Sequence, residues 1–111
     1  MTTVLTDHLR FAEVLKARIR EPDALVDPEV LKAAFARAGS GPRMIEPFDA
    51  LAQQIGEAAF RVTDEQVERV RTALGGDKQA FEFIMSAAVG AGLLRWDRAS
   101  AAIRKASNAA P

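Results

Sequence analysis

The chain contains no cysteine and only one histidine, His8, among its 111 residues. The first absence removes disulfides, thiolate metal sites and thiol nucleophiles together. The second leaves no histidine-rich metal centre within one chain, so neither a metal nor a cofactor is expected. Net charge is also lacking, since fifteen basic residues balance fifteen acidic ones. Proteins that hold nucleic acid normally carry a basic excess or stripe, so no nucleic-acid partner is expected. Long apolar runs are missing too. The uncharged segment 83–94 is too short to cross a bilayer as a helix, and no membrane association is expected. The opening residues, MTTVLTDHLR, lack the basic head and apolar stretch of a secretion signal. A soluble cytoplasmic protein is therefore the expectation.

What is present favours helix. Alanine makes up about a fifth of the chain and β-branched residues are sparse. With 49% hydrophobic and 27% charged residues, the balance is that of one globular domain spanning residues 1–111. No strand-like alternation persists, whereas helical spacing recurs in every segment.

Five helices follow from the periodicity and its punctuation. The first spans Thr6 to Arg20, with Leu5, Leu9, Ala12, Leu15 and Ile19 as its apolar stripe and His8 beside it. Asp27 caps the second, Pro28 takes its first position, and Val26 packs on Leu31. It stops before the loop GSGP, residues 39–42. Pro47 opens the third, with Phe48, Leu51, Ala52, Ile55 and Ala59 on one face. In VTDEQV, Thr63 and Gln66 form a capping box flanked by Val62 and Val67. That fourth helix turns Val67, Val70 and Leu74 inward and ends at Gly75 as a left-handed cap. Asp77 is expected to cap the fifth, which holds FEFIMSAAVGAGLLRW, and the tail 107–111 is expected to fray.

That last segment concentrates the functional candidates. Glu82 interrupts an apolar run and can act as a general base; it can equally be the one solvated position of a packed helix, paired with Lys78. His8 offers an acid–base group, since the ordinary imidazole pKa lies near neutrality, but no serine, cysteine or acid is spaced to complete a triad with it. Gly90 and Gly92 fail as a phosphate loop because they follow a helical pattern, not a strand. The small pairs Ser86–Gly90, Ala87–Ala91 and Ala88–Gly92 instead suit the close approach of another backbone. Arg95 and Trp96 end the apolar run, with Trp96 closing the core or anchoring an interface. Arg95, Arg98, Arg104 and Lys105 read as a solvated face that complements the helix C-terminus.

Residues 59–103, from AFRVTDEQVERVRTAL to the end of the apolar helix, resemble the C-terminal helical portion of the carboxymuconolactone decarboxylase and alkylhydroperoxidase-D superfamily. The resemblance lies in a capped short helix, a glycine turn and a long apolar helix closed by an arginine, here Arg95. It implies an alkylhydroperoxidase-D-like all-α subunit that buries hydrophobic helices between identical copies. Peroxidases of that superfamily use a Cys-x-x-Cys pair, and thiol chemistry has no substitute among other residues. A thiol peroxidase is thus excluded. The expectation is a small non-catalytic helical protein that forms a homo-oligomer or binds a protein partner. The alternative is a thiol-independent enzyme or small-ligand binder using Glu82, with His8 or Arg95 supplied by a neighbouring subunit.

Overall fold

The computed structural model describes residues 25–109. The expected first helix, with His8, lies outside them. Among the described residues four α-helices follow one another: α1 (Pro28–Ala38), α2 (Phe48–Ala58), α3 (Asp64–Leu74) and α4 (Asp77–Ala109), with a short 3-10 turn, Ala59–Arg61, after α2. No strand occurs among them. The all-α reading therefore holds, and the segment rich in small residues is one continuous helix of 33 residues.

Local chemistry sets the boundaries. The Asp27 carboxylate accepts from the Glu29 amide at 2.9 Å, with Pro28 in the first turn. Around α3, the Thr63 hydroxyl accepts from the Gln66 amide at 3.2 Å and the Gln66 side chain accepts from the Thr63 amide at 3.0 Å. Gly75 closes α3 at φ 98°, a left-handed conformation that residues with a Cβ rarely adopt. Two expectations need correction. Asp77 is the first residue of α4, and the Gly76 carbonyl, not an Asp77 cap, accepts the first helical bond, from the Ala80 amide at 3.1 Å. Ala59 leaves the α2 face for the 3-10 turn, where it is exposed. Helix α4 itself extends to Ala109.

Helix α4 is the strut on which α1, α2 and α3 pack, α1 most extensively. The core unites Ala34 and Ala38 of α1, Leu51, Ala52 and Ile55 of α2, Val70 of α3, and Phe83, Ala87 and Ala91 of α4. Phe83 and Leu51 are wholly buried, each contributing roughly 1.5–3 kcal/mol by transfer from water. The Phe83 ring meets Phe48 with centroids 5.6 Å apart. Val67 and Leu74 pack against this cluster from its margin.

Two glycines permit the tightest approaches. A Cβ at Gly90 would collide with the Phe35 carbonyl of α1, and a Cβ at Gly56 with the Ala38 carbonyl. The last turn of α1 is thereby gripped between α4 on one side and α2 on the other. Ser86, wholly buried one turn before Gly90, donates its hydroxyl to the Leu31 carbonyl at 2.6 Å. Ser86–Gly90 and Ala87–Ala91 thus form the close-packed face expected of them. Ala88 and Gly92 do not, for both are exposed and a Cβ at Gly92 would meet nothing among the described residues.

Candidate functional site

Glu82 stands in the second turn of α4, half-buried, with its carboxylate turned toward the chain that leads into α1. The Leu25 amide donates to Oε1 at 2.8 Å and to Oε2 at 2.9 Å, and the Val26 amide donates to Oε2 at 3.0 Å. Among the described residues no ion pair joins Glu82 to Lys78. The carboxylate acts there as a clamp holding the entry to α1 against α4, and one that accepts from two amides is poorly free to accept a substrate proton. Charge-assisted bonds of this kind are worth roughly 1.5–3 kcal/mol when buried and less at a half-exposed site. Glu82→Ala is accordingly expected to lower stability by about 1–2 kcal/mol in urea denaturation, while Glu82→Gln, which keeps one acceptor oxygen, recovers part of that loss.

Arg95 lies further along α4 and donates from Nη2 to the Gly56 carbonyl at 2.9 Å. This bond ties α4 to α2 beside the Gly56–Ala38 approach. Arg95 and Glu82 stand on one rigid helix, about 20 Å apart along its axis at 1.5 Å per residue. One chain does not bring them to a common site.

Two cavities flank α1. The first, of about 400 Å³, opens between α1, α2 and α4 and is lined by Arg37, Ser40, Gln53, Glu57, Arg95 and Arg98. The second, of about 370 Å³, lies between α1 and the 42–48 segment against Val30, Ala33, Pro42, Met44, Ile45 and Phe48. Glu82 lines neither. Among the described residues no group of three or more histidine, cysteine or acidic side chains is placed to hold a metal ion. None of the described helices is long and apolar enough to cross a membrane.

The most buried charge in the described chain is one that sequence reasoning missed. Asp49, in the first turn of α2, is 2% exposed. Its Oδ1 accepts from Arg37 Nε at 2.8 Å and from the Met44 amide at 2.8 Å, and Arg43 approaches Oδ2 at 3.8 Å. The Met44 amide is the main reason its carboxyl is held below the ordinary carboxylate range; burial opposes this, while Arg37 and Arg43 add to it. Arg37 also donates to the Gly41 carbonyl at 3.3 Å. One carboxylate thus fixes the α1–α2 loop from three directions. Nothing in the linear pattern marks Asp49 as other than a first-turn acid, because its arginine partner lies 12 residues away on another helix.

Trp96 is half-buried and outside the core cluster. No family model, curated protein or solved structure matches the chain.

Proposed function

We propose that the protein is a small, non-catalytic cytoplasmic subunit that works by associating with identical copies or with a protein partner. One contrast carries this reading. Among the described residues, the two polar groups that sequence offers for chemistry are committed to holding the fold: Glu82 to the Leu25 and Val26 amides, and Arg95 to Gly56. Large apolar side chains of the same helix, Phe81, Met85 and Ile103, instead stand 63%, 40% and 63% exposed. The other large exposed apolar residues among those described, Leu25, Ile45 and Phe60, lie on separate segments, whereas these three share one helix; a contiguous exposed apolar patch is a mark of a protein contact. Kinship with the carboxymuconolactone decarboxylase and alkylhydroperoxidase-D superfamily belongs to the same proposal. Its support is the element order over 59–103: capping box, short helix, left-handed glycine, long apolar helix.

Light scattering on the eluting peak of a size-exclusion column, at micromolar concentration, tests association. The expected mass is a multiple of the 12.0 kDa chain; a mass equal to one chain overturns self-association.

The arginine-lined cavity supports a second reading, the binding of a small anion. Arg95 and Arg98 line a polar recess walled by Ser40 and Gln53. Calorimetric titration with inorganic phosphate tests it, with saturable heat that Arg98→Ala abolishes as the expected result and no heat from the intact protein as the contrary one.

A further inference from the structure

Helix α4 carries two apolar faces. One, through Ala80, Phe83, Ala87 and Ala91, is buried in the core. The other runs through Phe81, Met85, Ala88, Gly92, Trp96, Ala99 and Ile103. At 3.6 residues per turn these seven positions fall within about 80° of one another, on the side away from the core stripe. Six of the seven are exposed, and Trp96 is half-buried.

The spacing along this outer stripe is four, three, four, four, three, four, which reads identically in both directions about Gly92. A two-fold axis through Gly92 that relates antiparallel helices therefore sets every stripe position opposite another. Phe81 meets Ile103 of the second copy, Met85 meets Ala99, Ala88 meets Trp96, and Gly92 meets Gly92. The small residues of the inner pairs face the larger Trp96 and Met85, and glycine sits where the two backbones cross most closely. A self-complementary patch is what closed two-fold assembly requires.

Gly92 supplies an independent observation. Glycine in a helix interior costs about 1 kcal/mol relative to alanine. Gly90 is explained by the Phe35 carbonyl, yet nothing within the described chain occupies the space where a Gly92 Cβ would stand. A crossing helix from a second copy accounts for it. Charge selects the same orientation. From 95 to 105 the helix carries Arg95, Arg98, Arg104 and Lys105 against Asp97 alone, whereas its first turns carry Asp77 and Glu82 with Lys78. Parallel pairing would set the basic halves side by side, while antiparallel pairing about Gly92 sets Arg104 and Lys105 opposite positions 80 and 79, between Asp77 and Glu82 of the other copy, and Arg95 and Arg98 opposite the uncharged positions 89 and 86.

Resting on the self-association reading, the geometry points to an antiparallel homodimer formed by the outer face of α4 about a two-fold axis at Gly92. The stripe from 81 to 103 is about 33 Å long at 1.5 Å per residue. With the exposed fractions of Phe81, Met85 and Ile103, the buried surface is on the order of 1,000 Å², the lower end of specific interfaces. A reversible dimer, not a permanent one, is the consequence.

The cysteine-free chain allows a direct test by single-cysteine variants oxidised at micromolar concentration and separated without reductant. Gly92→Cys places two thiols at the axis and is expected to give a covalent dimer. Phe81→Cys alone is expected to remain monomeric, since its two copies would stand about 33 Å apart along the axis. Mixing Phe81→Cys with Ile103→Cys is expected to restore the dimer. Crosslinking of Phe81→Cys to itself overturns the antiparallel arrangement, and equal yields at all positions, or none at any, overturn the interface. A doubled solution mass with the wrong crosslinks would leave self-association standing and remove only this arrangement; a single-chain mass would remove both.

Discussion

Asp49→Ala is expected to lower unfolding free energy by about 3–5 kcal/mol, the usual cost of breaking a buried, hydrogen-bonded ion pair from one side. Small domains are typically stable by about 5–15 kcal/mol, so this loss removes a large share. Three groups lose their partner together: the Met44 amide, the Arg37 guanidinium, whose side chain is 16% exposed, and the looser Arg43. Arg37→Met combined with Asp49→Leu should regain part of the loss, because no buried charge is then left alone. The Met44 amide would still be orphaned, so recovery stays incomplete. The pH dependence follows from the lowered carboxyl pKa. The folded value lies below the ordinary 3.8, so the stabilisation is fully present above that value and is lost as pH falls through the lower, folded one. Urea midpoints of the parent and Asp49→Asn should therefore differ most near neutrality and converge only in strong acid. A constant difference down to low pH would mean that the charge of Asp49 does not stabilise the fold.

Two alanine substitutions two residues apart should have opposite signs. Gly90→Ala puts a Cβ into the Phe35 carbonyl, and a backbone group in a packed helix yields far less readily than a side-chain tip. Relief requires α1 to move away from α4, which separates Leu31, Ala34 and Ala38 from Phe83, Ala87 and Ala91. A net loss of about 2–3 kcal/mol is expected even after the helix-propensity gain of alanine. Gly92→Ala meets nothing among the described residues, and at concentrations where the chain is monomeric it should gain roughly 0.5–1 kcal/mol. Thermal and urea unfolding of both variants measure the contrast. Equal gains at 90 and 92 would show that α1 and α4 do not cross at Gly90.

Much of the fold is legible in the linear pattern because its signals are local. Asp27–Pro28, the Thr63–Gln66 box and Gly75 act within one turn, and each bounds a helix where the pattern places it. The inward face of α2 and the close-packed Ser86–Gly90 pair follow from helical spacing alone. Gly56 and Asp49 are illegible for a common reason: their meaning comes from Ala38 and Arg37 on α1, and nothing local marks a crossing point or an ion pair between helices. Glu82 illustrates the same limit. A lone carboxylate in an apolar run suggests chemistry, while its partners are the amides of Leu25 and Val26, donors that every residue but proline possesses and that no sequence motif advertises. The two glycines of α4 look alike in sequence and differ only in what lies beyond each Cα.

The association of α4 with a second copy is tested most directly by sedimentation equilibrium of three chains at micromolar concentration: the parent, Phe81→Glu, and Phe81→Glu combined with Ile103→Lys. The antiparallel arrangement predicts twice the 12.0 kDa chain mass for the parent and a single chain for Phe81→Glu. It predicts a restored dimer for the double variant, where the carboxylate introduced at position 81 of one copy faces the ammonium introduced at position 103 of the other. A parent that sediments as one chain, or a double variant that stays monomeric while the parent is dimeric, would contradict it.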